Sequence, residues 1–149
     1  MRFVIQRVTN ANVTVDGNVT GEISKGFLVL IGVSDDDTKE IADKMIKKLI
    51  GMRIFEDENG KMNLSILDTN GSILSISQFT LYANAKEGRR PSFVEAMNPK
   101  DASVLYDKFN EKLKSMIHTE TGIFGADMKV EIYNDGPVTI MLDSKELFK

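Results

Sequence analysis

Between Gly26 and Val33 the chain reads GFLVLIGV, eight residues with no polar side chain and a glycine near each end. The run is short for a helix and rich in β-branched residues, so it predicts a strand buried on both faces. A strand of that kind must be covered from two sides, which calls for a layered domain. The residues on either side supply the layers. Arg2 to Val8 and Val13 to Val19 are β-branched and partly alternating, and Asp16-Gly17-Asn18 has the composition of a tight hairpin turn, so the chain is expected to begin with antiparallel strands.

Beyond Ser34 to Asp37, apolar residues fall at Ile41, Ala42, Met45, Ile46, Leu49 and Ile50, the stripe of an amphipathic helix that packs on a sheet. Arg53 to Glu56 and Met62 to Ile66 flank the turn Asp57-Glu58-Asn59-Gly60, and Ser72 to Leu81 follows a second turn, which predicts three strands in succession. Asn98-Pro99 is a helix start, with asparagine as cap and proline at the first helical position, ahead of a face of Ala102, Leu105, Tyr106, Phe109, Leu113 and Met116. Thr119 to Ala126 reads as a glycine-containing loop, Met128 to Tyr133 as a strand, Asp135-Gly136 as a turn and Val138 to Leu142 as the closing strand. Strands with two helices inserted argue a single α+β domain over residues 1–149, layered β/β/α, rather than alternating βαβ units.

Composition narrows the chemistry. With 149 residues, 42% hydrophobic and 28% charged, the chain suits one compact domain that folds. No apolar stretch approaches the roughly 20 residues that cross a bilayer, and Met1 to Gln6 lacks the pattern of a secretion signal. A soluble, cytoplasmic protein is expected. Zero cysteines exclude disulfides, thiolate nucleophiles and zinc ribbons, and a single histidine makes a histidine metal cluster implausible, so no metal and no cofactor are expected. No phosphate-binding glycine loop or dinucleotide fingerprint occurs. The net charge of -3 argues against coating nucleic acid through a global field but leaves room for a local basic patch.

Four segments could carry chemistry. Ser77-Gln78-Phe79-Thr80-Leu81 ends an apolar strand with two hydroxyls and an amide, a polar edge that either lines a pocket or bonds its own backbone. His118 stands at a helix end, where the helix dipole explains it without a role as base. Lys86, Arg89 and Arg90 crowd cations around Gly88, either as a solvated loop or as a grip on an RNA phosphate backbone. Asn134-Asp135-Gly136-Pro137-Val138-Thr139 is either a plain turn or, with a cis Gly136-Pro137 bond, a rigid pair of carbonyl acceptors with no side chain in the way. Asp35, Asp36 and Asp37 read as carboxylates favouring the positive end of the first helix rather than as metal ligands.

SQFTL at Ser77 to Leu81 and NDGPVT at Asn134 to Thr139 together resemble the D-aminoacyl-tRNA deacylases, the D-tyrosyl-tRNA deacylase family. The resemblance extends over QRVTNANVTVDG from Gln6, GFLVLIGV, RIFEDENGKMNLS from Arg53, GRRPSF from Gly88 and FGADM from Phe124 to Met128, nearly the whole chain. It implies a homodimer that hydrolyses the ester joining a D-amino acid, or glycine, including glycine mischarged on tRNA(Ala), to the terminal adenosine of tRNA, and that spares L-aminoacyl-tRNA. It further implies a catalytic pocket of Ser77, Gln78, Phe79 and Thr80, substrate contacts from Phe124 and Met128, and tRNA contacts from Lys86, Arg89 and Arg90. Gly136 and Pro137 are implied to enter the partner's pocket, bind the substrate amino group and crowd an L side chain. Thr80 is a candidate nucleophile in that family. A positioning role ranks above it here, because no histidine or lysine is placed to activate it. The competing reading from another class is a non-catalytic RNA-binding homodimer using the basic loop.

Overall fold

The computed structural model describes residues 1–148. Its organising strand is β1 (Arg2–Val15), which pairs along both edges. On one edge its first half is antiparallel to β3 (Gly26–Gly32), with Arg2 opposite Gly32 and Val8 opposite Gly26, and its second half is antiparallel to β2 (Asn18–Ile23). The hairpin turn falls at Asp16-Gly17 as expected. The expected break between Val8 and Val13 does not exist: the exposed pair Thr9 and Asn10 lies where the register slips, and a bulge lets one strand run through.

β3 continues the sheet to β6 (Ser72–Ser77) and β6 to β7 (Thr119–Thr121), both pairings parallel. Parallel neighbours need crossovers, and α1 (Lys39–Gly51) and α2 (Pro99–Lys114) lie in them, so the helices connect parallel strands as well as covering the sheet. Thr119 to Thr121 is thus an edge strand rather than part of a loop; three residues are too few to display a period of two. Between α1 and β6, β4 (Phe55–Glu56) and β5 (Met62–Leu64) form their own two-stranded sheet.

Alternation sorts the side chains into two cores. Phe3, Ile5, Phe27, Val29 and Ile31 face the helices and meet Met45, Ile46 and Leu49 of α1 and Tyr106, Phe109 and Leu113 of α2. Val8, Ala11, Val13, Leu28, Leu74 and Ile76 face the other way, onto Met128, Val130 and Ile132. β3 contributes Phe27 to one core and Leu28 to the other, the two-sided burial its composition demands. The layers are β/β/α. β2 folds over until Gly21 meets β7, where an added Cβ would stand 2.7 Å from the Thr121 carbonyl oxygen, so the sheet nearly closes on itself.

Asn98 caps α2 as expected, its side chain accepting from the Asp101 amide with Pro99 opening the helix. The α1 cap is Thr38, not the preceding carboxylates. Asp37 turns inward instead, accepting from the Ser34 amide at 2.7 Å and pairing with the buried Met1 ammonium. The last strand, β8 (Lys129–Asp143), runs antiparallel to β1 from Thr14 opposite Lys129 to Arg2 opposite Asp143. Asp135-Gly136 is therefore no chain-reversing turn. It is an irregularity inside one long strand, with Gly136 at φ +128° and the Gly136-Pro137 bond cis. A short helix, α3 (Ser144–Leu147), follows.

Candidate active site

β6 carries its apolar alternation as far as Ser77, and the Gln78 amide extends the pairing by donating to the Ile31 carbonyl at 2.8 Å. The chain then tightens into a 3₁₀ turn, Phe79–Tyr82. The turn can lie this close to β3 because residue 32 is glycine: a Cβ there would sit 3.0 Å from Leu81 Cβ and 3.2 Å from the Gln78 carbonyl oxygen. As at any helix start, the first amides of the turn, Phe79 and Thr80, find no acceptor among the described residues.

Beside this turn opens a cavity of about 550 Å³. Ile31 and Val33 with Ile76, Ser77 and Gln78 make its sheet side, and the start of α2 from Asn98 through Ala102 to Tyr106 makes its helix side. Phe124, Gly125, Ala126 and Met128 complete the lining, and the exposed Phe79 and Phe93, packed edge to face at 5.0 Å, form its rim. Every residue lining it is uncharged at neutral pH. Tyr106 alone can titrate; burial raises its pKa, and its hydroxyl is occupied in donating to the Ser75 carbonyl at 2.8 Å. A cavity of this character can exclude water, hold an apolar group and present amide donors, but it contains no general base.

The structure therefore gathers Ser77, Gln78, Phe79, Phe124 and Met128 around one space. Thr80 is exposed and does not line it; its hydroxyl accepts a hydrogen bond from Gln78 Nε2. Lys86, Arg89 and Arg90 are also outside, exposed on a loop whose base is closed by reciprocal backbone bonds of 2.8 Å between Asn84 and Ser92, next to the rim residue Phe93. None of the three pairs with a carboxylate among the described residues. His118 is exposed, outside the cavity and 3.8 Å from Glu120; α2 ends at Lys114, so His118 stands not at the helix end but just before β7. Gly136 and Pro137 are exposed and stand outside the cavity of their own chain.

One neighbour of the Gly136-Pro137 segment lies within QRVTNANVTVDG but is given no site role by the sequence. Arg7 is 5% exposed, and its guanidinium donates through Nε to the Asp135 carbonyl at 3.1 Å and through Nη1 to the Ile54 carbonyl at 2.7 Å. It ties the Gly136-Pro137 segment to the β4–β5 sheet. A signal for it does exist in the sequence: Arg7 shares the strand parity of Phe3 and Ile5, which assigns it to the inner face. The helix side of the cavity, by contrast, comes from tertiary packing and has no local signature.

A family model described as D-Tyr-tRNA(Tyr) deacylase matches residues 4–143. A protein of Sulfurihydrogenibium sp. (strain YO3AOP1) named D-aminoacyl-tRNA deacylase is 58% identical over 147 residues, covering 99% of this chain and 100% of its own. Among solved structures, one titled c-Myc DNA Unwinding Element Binding Protein superposes with a TM-score of 0.91 at 42% identity, over 96% of this chain and 98% of that one. A second, titled as a probable eukaryotic D-amino acid tRNA deacylase, shares the fold with a TM-score of 0.80 at 19% identity, over 95% and 97% of the two chains. The near-closed β/β/α domain with its uncharged cavity is thus that of a hydrolase. Within that class, the chain belongs to the D-Tyr-tRNA(Tyr) deacylase family.

Proposed function

We propose that the protein hydrolyses the ester linking a D-amino acid, or glycine, to the terminal adenosine of tRNA, including glycine mischarged on tRNA(Ala), and spares L-aminoacyl-tRNA. The observation that carries the mechanism is a cavity lined by Ser77, Gln78 and Phe79 with no charged side chain in its lining. An aminoacyl ester is already activated, so water can attack its carbonyl carbon without a protein base when the neighbouring ribose hydroxyl of the RNA positions that water. The carbon–oxygen bond to the ribose then breaks, the ribose oxygen takes a proton, and free amino acid and tRNA leave. The protein supplies placement and donors for the oxyanion, a role for which the unbonded amides of Phe79 and Thr80 are suited, with Ser77 and Gln78 beside them. Phe124 and Met128, which share the cavity lining, contact the substrate.

In this reading Gly136 and Pro137 select chirality in the pocket of a second subunit, their carbonyls accepting from the substrate amino group while the backbone crowds an L side chain. Their exposure outside their own cavity supports it, as does the position of β8, whose only strand partner among the described residues is β1. The free edge of β8 and the exposed Tyr133 and Met141 suit a homodimer. Lys86, Arg89 and Arg90 hold tRNA phosphates near the rim. Among the described residues no helix is long and apolar enough to cross a membrane, and the proposed place of action is the cytoplasm. The test is deacylation of D-tyrosyl-tRNA against L-tyrosyl-tRNA. Selective hydrolysis of the D ester is expected; equal hydrolysis of both overturns the assignment, and tRNA binding without cleavage favours a non-catalytic RNA-binding dimer.

A further inference from the structure

Arg2 opens β1, and its guanidinium makes three contacts. Nε donates to Asp143 Oδ2 at 2.8 Å, Nη1 donates to the Leu81 carbonyl at 3.0 Å, and the guanidinium carbon lies 4.5 Å from the centre of the Tyr82 ring. Leu81 and Tyr82 are the last two residues of the 3₁₀ turn whose first two are Phe79 and Thr80. Four residues contain too few internal hydrogen bonds to set their own orientation, so what grips the two ends decides it. At the entrance the Gln78 amide is bonded to Ile31, beneath lies Gly32, and at the exit the carbonyl left without a helical partner is held by Arg2.

The anchor for that grip is itself fixed. The other oxygen of Asp143 accepts from the Lys145 amide at 2.9 Å, so the carboxylate is held between Arg2 and the start of α3. The arrangement uses the shape of the guanidinium as well as its charge, because a planar fork reaches a carboxylate and a carbonyl at once while lying over a ring, whereas an ammonium cannot. Arg2 lines a separate cleft of about 270 Å³ with Leu81 and Asp143 and is absent from the main cavity, so it does not reach substrate there.

We infer that Arg2 is a positioning residue for the ester hydrolysis, clamping the Phe79–Tyr82 turn so that the Phe79 and Thr80 amides stay aimed at the reacting carbonyl. The inference rests on the deacylase reading above and adds a residue outside the cavity to its machinery.

Two measurements on Arg2→Ala and Arg2→Lys test it. Amide hydrogen exchange reads the clamp without reference to activity: faster exchange of Leu81 to Ala83 is expected in both variants, and unchanged exchange overturns the proposal. Single-turnover deacylation of D-tyrosyl-tRNA reads the role. The saturated rate should fall by about ten- to a hundredfold, the loss that small misplacement of reacting groups produces, with the half-saturating tRNA concentration shifted by less than about twofold. Added guanidinium should restore part of the Arg2→Ala rate. A general structural weakening would instead lower rate and folded fraction together with no rescue, and that result overturns the role. A wild type that leaves D-tyrosyl-tRNA intact overturns the deacylase reading and the role with it, whereas an active wild type with variants of unaltered rate overturns Arg2's role alone.

Discussion

Gly136 combines an open surface position with a backbone that few other residues can adopt. At φ +128° an added Cβ would stand 2.9 Å from Val138 Cγ2 and 3.0 Å from the Val138 amide nitrogen. Gly136→Ala should therefore cost about 1–3 kcal/mol of stability, read as a lower urea midpoint, and should depress D-tyrosyl-tRNA hydrolysis further than the folded fraction accounts for. Normal activity per folded molecule would remove Gly136 from the proposed chiral contact. Thr80 sits differently: its hydroxyl is outside the cavity and bonded to Gln78, whereas its amide is free. Thr80→Ala should keep a substantial rate because it keeps that amide, and trapping of an aminoacyl ester on Thr80 would decide for a nucleophile instead. Arg7 is buried and holds two backbone carbonyls. Arg7→Leu leaves the carbonyls of Ile54 and Asp135 without their donor, at a cost of about 3 kcal/mol or more, measurable by denaturant unfolding.

At the scale of elements, the loop between Asn84 and Ser92 and the 3₁₀ turn divide the work between them. The loop is closed at its base, and its cations are exposed and outside the cavity lining. Replacing Arg89 and Arg90 together by alanine should raise the half-saturating tRNA concentration and flatten its salt dependence, since phosphate contacts release counterions, with little change in the saturated rate. Loss of saturated rate at unchanged affinity would put these arginines at the reacting ester. Elements with strong local signals are legible in the sequence itself: the all-apolar β3, the stripe of α1, and Asn98-Pro99 at the head of α2. What stays hidden there is contextual. Three-residue β7 has no room for a period, the β8 irregularity mimics a hairpin turn because glycine and proline serve both, and Asp37 faces a partner 36 positions away in sequence. The same division runs through the site, where SQFTL stands on one strand end but α2 reaches the cavity only through packing.

At the scale of the whole molecule, the cavity and the Gly136-Pro137 segment of one chain lie apart, and a second copy is what would unite them. Sedimentation at assay concentrations should find a dimer, and an active monomer would refute a pocket completed by a partner.

β1 also determines when such a site can come into being. Its ladder with β8 joins residues from opposite ends of the chain, Arg2 with Asp143 and Thr14 with Lys129. During synthesis at roughly 5–20 residues per second, that edge of β1 waits on the order of ten seconds for its partner. The Arg2–Asp143 pair and the Gly136-Pro137 segment both need that late strand, so neither is in place until β8 has been made. In a family directed at aminoacyl-tRNA, these two features are therefore among the last parts of the fold to be assembled.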